Sequence, residues 1–309
     1  MDCRGGTYGL ACQRGHVPCE PCVPEALRGR VFRGTLVVRR GLLTPDQLRS
    51  KAWRRVRRDV YADARLSYDH GLTTAAVALT LPKGGLIGGR SAAWLFGVHQ
   101  ASPEDPVDVV LPAEFSWWSQ QGVSVHVQCV PPADVTKLGH RRATTPSRTG
   151  IDIARWYDAV VAVPIIDAML ASRITTEPAL RQQLKQATGH GIGHARRALT
   201  LCDGRAESPP ESVLRVRLML AGLPAPVPQY EVWRDGRFVA RVDLGWPEVK
   251  VAVEYDGAWH GAPGQLGRDR RRLNALVAAG WTVIHVTAAD LRILDGIIAQ
   301  LRSLLLKTA

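Results

Sequence analysis

Three acidic residues near the carboxyl end of the chain have the spacing of a divalent-metal site. Asp243 lies near the end of one predicted strand, Glu254 near the end of the next, and Asp256 comes two residues later. A hairpin brings the two strand ends together, and residues two apart on a strand point to the same side. Clustered carboxylates repel one another unless a cation joins them. Such oxygen donors bind Mg²⁺ or Mn²⁺, which can support phosphodiester hydrolysis; separate carboxylates on an exposed strand edge are the alternative.

These acids belong to a segment whose patterns predict the element order αβββαβα. Ser208 is expected to cap the first helix, with Pro209 at its first position and Glu211 at its third. The Asp235-Gly236 pair suits the positive φ angles of a tight turn between the first two strands. In the third strand, odd positions are apolar and even positions largely polar, which predicts one core face and one chemical face. The expected strands span 229–233, 238–244, 249–256 and 281–287, and the later helices 266–279 and 289–306.

The same segment resembles a known family. The resemblance is carried by His260 and by the preceding run, Arg241-Val-Asp-Leu-Gly-Trp-Pro-Glu-Val-Lys-Val-Ala-Val-Glu-Tyr-Asp-Gly257. Both are similar to an uncharacterised nuclease family related to very-short-patch-repair endonucleases, within the PD-(D/E)XK superfamily. The resemblance covers roughly residues 208–306 and implies a restriction-endonuclease-like fold with metal-dependent cleavage of DNA. It also implies that Asp243 and Glu254 are metal ligands and that Glu211 is the additional acid often found on the first helix.

One position departs from the superfamily pattern. The residue two after the second acid is usually lysine and is Asp256 here, so the general-base or electrostatic role is open. His260 could take it, because an imidazole moves protons near neutral pH. Lys250, expected on the same side of the strand as the second acid, is another candidate. Arg270 or Arg272 on the following helix could place a positive charge at the phosphate.

The first part of the chain has a helix-turn-helix rhythm. A helix from Leu36 is succeeded by a turn at Gly41 and by a second helix that Thr44 caps, with Pro45 at its first position. The next run places apolar residues among arginines, as expected where a β-wing comes after the second helix. These arginines are predicted to contact DNA phosphates, a solvated basic face being the alternative: Arg54, Arg55, Arg57 and Arg58.

The middle of the chain is predicted to be an α/β region without a recognisable catalytic motif. Helical patterns at 70–81 and 90–96 alternate with β-type runs at 107–111 and 123–127, and the glycine-rich run 189–193 is interpreted as a turn between helices. Residues 31–203 resemble AbiEi-type antitoxins, which implies DNA binding rather than catalysis. The matching runs are Gly41-Leu-Leu-Thr44, Trp53-Arg-Arg55, Val60-Tyr61, Ser91-Ala-Ala93 and Arg148-Thr-Gly-Ile-Asp152.

Composition narrows the class of partner. The chain has 309 residues, 46% of them hydrophobic and 22% charged, which is typical of a folded protein with two or three domains. No apolar run is long enough for a membrane helix, so a cytoplasmic protein without a membrane partner is expected. The net charge of +12 favours nucleic acid, because each neutralised phosphate releases counterions. A basic drift of arginine-rich codon usage is the alternative.

Cysteines are concentrated at the start of the chain. Cys12, His16, Cys19 and Cys22 include the two-residue gap of a zinc hook, but no second pair matches it and the run has no helix or strand periodicity. A zinc site is therefore not predicted. Translation from a downstream start, such as the codon of Val31, is the favoured alternative.

Together these patterns predict an α/β protein with a poorly structured tail (1–30), a winged helix-turn-helix (31–66), a middle α/β domain of AbiEi type (67–205) and a PD-(D/E)XK-like nuclease domain (206–309). The predicted function is a DNA-binding endonuclease that uses Mg²⁺ or Mn²⁺. Its candidate site residues are Asp243, Glu254, Asp256, His260 and Glu211. The alternative is a transcriptional regulator or antitoxin whose nuclease fold is an inactive DNA-binding or dimerising module. DNA is the expected partner, and the oligomeric state is open, a homodimer included.

Overall fold

The structure, a computed structural model, describes residues 23–115, 121–257 and 265–305. The chain divides into two units, Met1–Tyr68 and Asp69–Ala309. Both mix helices with strands, so the predicted α/β class is confirmed. Among the described helices, none combines the length and apolar character that a membrane crossing needs. The zinc candidates Cys12, His16, Cys19 and Cys22 and the proposed base His260 lie outside the described residues.

From residue 23 onwards, the first unit forms a three-stranded antiparallel sheet and one α-helix. Its core is formed by Leu27, Phe32, Val37, Leu43 and Trp53. The strands expected after the turn are present as the β2–β3 hairpin, and a third strand, β1, pairs with β3. The elements are β1 (Val31–Arg33), α1 (Gly34–Arg39), β2 (Trp53–Arg57) and β3 (Val60–Asp63), with sheet order β1-β3-β2.

The prediction of a second α-helix in the helix-turn-helix is wrong in both the type and the length of the element. Thr44 does form the expected cap: its amide donates to Gln47 Oε1 at 2.7 Å, and the Gln47 amide donates to Thr44 Oγ1 at 3.2 Å. The capped element is a single 3-10 turn, Gln47–Arg49. Leu48 is the one aliphatic side chain between Pro45 and Lys51, so a longer helix would have no apolar stripe to bury.

The second unit begins with a five-stranded mixed sheet and a group of helices. The strands predicted at 107–111 and 123–127 are confirmed, and Gly191 begins the last helix of this group with φ +80°, as the turn interpretation requires. The elements are α2 (His70–Ala78), β4 (Leu86–Ile87), α3 (Gly89–Leu95), β5 (Val107–Leu111), β6 (Val123–Val127), β7 (Val135–Leu138), β8 (Arg141–Thr144), α4 (Pro146–Trp156), α5 (Ala159–Ala171), α6 (Glu177–Gln186) and α7 (Ile192–Thr200), with sheet order β6-β5-β4-β8-β7.

The remaining elements of this unit have the predicted order αβββαβα. Asp235 and Gly236 have φ angles of +50° and +73°, as expected for the tight turn between the first two strands. The elements are α8 (Pro209–Leu220), β9 (Val227–Arg234), β10 (Arg237–Trp246), β11 (Val251–Asp256), α9 (Gln265–Ala278), β12 (Thr282–Thr287) and α10 (Asp295–Leu305). The sheet order is β12-β11-β10-β9, with β11 parallel to β12 and the other pairs antiparallel. The last predicted helix is divided, because a separate 3-10 turn, Asp290–Arg292, precedes α10.

Strand β11 is buried on both faces, which corrects the expectation of one core face and one open chemical face. Val253 packs with Leu214 and Leu218 of α8. Ala252, at an even position, packs with Leu276 of α9. Because α9 covers that side of the sheet, the polar side chain at the next even position, Glu254, is enclosed as well, with 5% of its surface exposed.

A buried ion pair connects α8 to the helices before it. Arg215 Nη2 of α8 lies 2.6 Å from Asp167 Oδ2 of α5, and both side chains are almost fully enclosed. Ser212 Oγ donates to the same oxygen at 2.7 Å, and the Asp203 amide donates to Asp167 Oδ1 at 2.7 Å. These bonds fix the position of α8 against α5, and α8 carries Glu211 in its first turn.

Candidate functional site

Glu211 is fixed at the amino end of α8 by the predicted capping box. Its amide donates to Ser208 Oγ at 3.4 Å, and Ser208 Oγ donates back to Glu211 Oε1 at 2.7 Å. The Glu207 amide donates to Glu211 Oε2 at 3.0 Å. The positive end of the helix dipole favours a carboxylate at this position. The capping box thus holds an acidic side chain, almost completely buried, at the edge of the sheet.

Asp243 and Glu254 are neighbours across β10 and β11. The pairs Gly245↔Ala252 and Leu244↔Val253 set the register, and continuing it by one residue places Asp243 opposite Glu254. The Tyr255 amide donates to Asp243 Oδ2 at 2.8 Å. The hairpin expected from the sequence therefore brings these two acids together.

Glu211 also belongs to this group, because Gln229, which the β9–β10 register places opposite Asp243, donates to Glu211 Oε2 at 2.8 Å. The pKa of Asp243 is raised to about 6, mainly by burial and to a smaller extent by the negative charges of Glu211 and Glu254, while the Tyr255 amide and Arg272 act in the opposite direction. We call Glu211, Asp243 and Glu254 the acidic trio.

Glu254 is bound by an arginine of α9. Arg272 Nη1 donates to Glu254 Oε2 at 2.8 Å and Nη2 donates to Oε1 at 2.6 Å, so the pair is bidentate. Arg272 Nη2 also donates to the Arg241 carbonyl at 2.6 Å. Arg272 was expected at the DNA phosphate; in this structure its guanidinium lies at the acidic trio and neutralises one member.

Asp256 has a different partner. It is exposed at the end of β11, and its Oδ2 lies 3.1 Å from His285 Nδ1 on β12. Parallel pairing places Glu254 beside His285 and Asp256 beside Thr287, so this contact is diagonal along the sheet. The predicted Asp256 therefore lies beyond the acidic trio along β11, next to an imidazole that the sequence patterns did not single out.

Gln229 is a site residue that sequence reasoning missed. Its Nε2 donates to Glu211 Oε2 at 2.8 Å, and the β9–β10 register places it opposite Asp243. Gln229 has φ +52°, an uncommon value for a residue with a side chain. A glutamine between Pro228 and Tyr230 in a β-type run gives no local signal of this role.

Lys250 does not join the site. It has φ +52° and its amide donates to the Pro247 carbonyl at 3.3 Å, so it belongs to the turn before β11 and not to the strand. Its Nζ is 3.7 Å from the position of a Cβ built on Gly280, at the opposite end of β11 from Glu254. The expectation that Lys250 shares a face with Glu254 is therefore wrong, because β11 begins at Val251, one residue after Lys250.

A cleft of about 720 Å³ opens beside the trio. Its lining includes Asp243, Arg272 and Gln229 and, on the β9–β10 hairpin, Phe238. Arg241 and Glu207, which also line the cleft, form an ion pair of 2.8 Å. Asp243 of the trio thus faces a cavity large enough for part of a polymer backbone.

The donors of the trio suit a hard divalent cation, but their present hydrogen bonds do not form a ready cage. In the described part of the chain, no group of three or more histidine, cysteine, aspartate or glutamate side chains is arranged to hold a metal. Both oxygens of Glu254 are bound by Arg272, and both oxygens of Glu211 by its cap and by Gln229. A cation at Asp243 fits the chemistry of the trio, provided that Arg272 releases Glu254.

The predicted DNA-binding arginines divide into two classes. Arg54 donates to the carbonyl of Leu66 at 3.1 Å and to that of Ala64 at 3.3 Å, so it supports its own unit. Arg57 is half-buried, and burial lowers its pKa. The exposed members are Arg55, Arg58 and, on α9, Arg270. These three can reach a phosphate without breaking a buried contact.

Comparisons with known proteins give relatives but no function. No family model matches the chain. The uncharacterized proteins MT2308 and Rv2248, from the CDC 1551 / Oshkosh and ATCC 25618 / H37Rv strains of Mycobacterium tuberculosis, are each 34% identical to it over 162 residues. That stretch is 52% of this chain and 60% of each relative, so the chain spans less than two thirds of their length. The crystal structure of the RV2827C protein from Mycobacterium tuberculosis gives a TM-score of 0.39 at 17% identity, covering 67% of this chain and 84% of that one.

Proposed function

We propose that this chain is a DNA-binding, divalent-metal-dependent endonuclease whose active site is the acidic trio. The observation that carries the proposal is the convergence of Glu211, Asp243 and Glu254 from α8, β10 and β11. Asp243 lies opposite Glu254, and Gln229, which lies opposite Asp243 on β9, donates to Glu211 Oε2 at 2.8 Å. Three carboxylates that separate elements hold together repel one another, and a bound cation commonly compensates this repulsion. The element order αβββαβα supports a restriction-endonuclease-like fold for residues 206–309.

In this proposal Asp243 and Glu254 hold Mg²⁺ or Mn²⁺, with Glu211 as the additional acid. When bound, the cation supplies charge stabilisation at the phosphate and an activated water. Arg272 exchanges its carboxylate partner for a phosphate oxygen, since a guanidinium binds both anions through the same pair of N–H groups. Gln229 keeps Glu211 oriented while this exchange occurs. His260 retains its predicted role as the proton carrier.

DNA binding is assigned to exposed arginines in both units. Arg55 lies on β2 and Arg58 in the turn between β2 and β3, in the proposed winged helix-turn-helix. Arg270 lies on α9, two residues before Arg272. The net charge of +12 favours a polyanion of this kind.

The test is cleavage of supercoiled plasmid in Mg²⁺ or Mn²⁺ by the full chain and by isosteric variants. Asp243→Asn and Glu254→Gln keep the shape of the site but remove its charge, and are expected to lower nicking at least about 100-fold if the carboxylates stabilise the transition state. Glu248→Gln, in the exposed turn before β11, is the matched control and should cleave as the original chain does. Equal cleavage by all four proteins would remove the acidic trio as the active site.

A regulator or antitoxin with an inactive nuclease fold is the second candidate, and the bidentate Glu254–Arg272 pair favours it. An arginine that permanently neutralises the second acid would preserve the fold without a metal. Asp256 in place of the usual lysine agrees with this candidate. It gains support if no metal permits cleavage while the chain still retards a specific duplex in gel-shift assays and Asp243→Asn binds as tightly as the original chain.

A further inference from the structure

Two large aromatic side chains stand exposed next to each other at the tip of the β9–β10 hairpin. Trp233 is 56% exposed and Phe238 is 54% exposed. They are paired across the two strands, with ring centroids 5.6 Å apart and an interplanar angle of 75°. We call them the aromatic pair. Edge-to-face contact stabilises such a pair, yet each ring leaves more than half of its surface in water.

The cross-strand contact stabilises the hairpin, but the hairpin does not depend on it. The turn between them is already specified by Asp235 and Gly236, whose positive φ angles suit a tight hairpin. The β9–β10 register shifts between Phe238 and Ala240, which indicates a bulge. Bulges redirect the side chains that precede them and are frequent beside functional sites.

The aromatic pair is continuous with the cleft beside the acidic trio. Phe238 lines the same cavity as Asp243 and Arg272. Trp233 Nε1 donates to Glu231 Oε2 at 3.3 Å, and Glu231 is also in the cavity wall. Phe238 and Asp243 lie five residues apart on β10, which at about 3.3 Å per residue is a distance of about 16 Å. About five stacked nucleotides of one strand span the same distance.

Cations flank the aromatic pair. Arg237 and Arg234 lie at the hairpin tip, and Arg241 lies along β10 between Phe238 and Asp243; all three are exposed. Arg241 is paired with Glu207 at 2.8 Å, and Arg234 also donates to the Ala278 carbonyl. Asp235 is partly neutralised by Arg234 at 3.5 Å. Aromatic faces interleaved with arginines suit a nucleic-acid strand, whose bases stack while its phosphates meet the cations. A purely apolar partner would leave these guanidinium groups poorly solvated.

We propose that the aromatic pair is a stacking platform for an unpaired nucleobase, so that the preferred substrate is single-stranded or has unpaired bases beside the cleaved bond. A paired base presents its faces to its neighbours in the duplex, whereas an unpaired base can place one face on Trp233. This inference rests on the proposed function for its substrate class, but stacking does not require catalysis.

The experiment compares binding of a single-stranded oligonucleotide containing 2-aminopurine with binding of a blunt duplex, both in EDTA so that no cleavage occurs. Trp233→Ala and Phe238→Ala are each expected to weaken single-strand binding about 5- to 150-fold. Duplex binding should change by less than about 3-fold, the expectation for a site that stacks no base. Trp233→Phe keeps a stacking face and should restore most of the affinity and the quenching of 2-aminopurine.

The control and the overturning outcomes are separate from cleavage. Ile293→Ala removes an exposed apolar side chain outside the cleft and should leave both affinities unchanged. Equal losses for both nucleic acids, or no loss for either, overturn the platform. A shift from dimer to monomer in Trp233→Ala on size exclusion overturns it in favour of contact between two copies. If Asp243→Asn does not cut DNA but still prefers the single strand, the platform is supported independently of catalysis. If the original chain cuts DNA but shows no preference for the single strand, the platform is refuted and the proposed endonuclease function is not.

Discussion

Arg272 binds Glu254 with two hydrogen bonds, from Nη1 to Oε2 at 2.8 Å and from Nη2 to Oε1 at 2.6 Å. The carboxylate is almost entirely enclosed, whereas the guanidinium is partly exposed to the cleft. The arginine can therefore leave towards solvent or substrate, but the glutamate cannot move with it. If a metal binds at the trio, it competes with this contact.

Replacing Arg272 should cost stability and increase the response to metal. In Arg272→Gln the buried carboxylate loses its main partner, and the free energy of unfolding in EDTA is expected to fall by about 2 kcal/mol, below the range for fully buried pairs because the guanidinium is partly exposed. Mn²⁺ should then raise the melting temperature more than in the original chain, because ligand that binds the folded state stabilises it. Arg270→Gln, on the same helix, is the control. An Arg272→Gln protein indifferent to Mn²⁺ would contradict metal binding at the trio.

Asp243 should give a measurable pH dependence. Its folded-state pKa of about 6 lies above the unfolded value of about 3.9, so the folded chain holds an extra proton between these pH values. The resulting stability is present at pH 4 and is lost as the pH rises through 6. Asp243→Asn removes this loss and should be more stable than the original chain by about 1 kcal/mol at pH 7.5 and nearly equal at pH 4.

The measurement is urea unfolding of both proteins in EDTA at intervals between pH 4 and 8. The difference between the two curves isolates Asp243 from other titrating groups. A difference that does not vary with pH would show that this carboxylate has an ordinary pKa. In the presence of Mn²⁺ the order should reverse at neutral pH, because the metal stabilises the original chain and not the variant.

The Asp167–Arg215 pair should be essential for the position of α8. Arg215→Met leaves the enclosed carboxylate of Asp167 without its cation, which is expected to lower the free energy of unfolding by about 3 to 5 kcal/mol. Adding Asp167→Asn removes the unpaired charge and should recover a large part of that loss. Denaturant unfolding of the two single variants and the double variant completes the cycle. Additive losses would mean that the pair has no coupling.

The arginines of the first unit should separate into phosphate contacts and structural contacts. Arg55→Ala and Arg58→Ala are each expected to lower duplex affinity and to reduce the salt dependence of binding by about one counterion. Arg54→Ala should instead lower the stability of its unit, since it loses bonds to the Leu66 and Ala64 carbonyls. Fluorescence anisotropy at several salt concentrations, with thermal melting in parallel, distinguishes the two effects. Identical salt slopes for all variants would contradict phosphate contact at this hairpin.

Local signals in the sequence were sufficient where an element depends on its own residues. The capping box Ser208–Glu211 and the Asp235-Gly236 turn satisfy hydrogen bonds or φ preferences within a few residues, so their patterns specify them directly. The same applies to the order of elements from α8 to α10. Pairing of Asp243 with Glu254 could be inferred from strand lengths and a single short connection.

The tertiary structure decided which side chains meet across those elements. The alternation in β11 showed a polar set of positions but not that α9 would cover them, and that cover places Arg272 on Glu254. Lys250 is not part of the site because β11 begins at Val251 and not at Val249, so Lys250 lies in the preceding turn with φ +52° and does not follow the alternation of the strand. Gln229 entered because a positive φ angle turns it towards Glu211. Sequence periodicity specifies the spacing of side chains along one element, whereas their partners depend on how separate elements pack, which arises only when the whole core assembles.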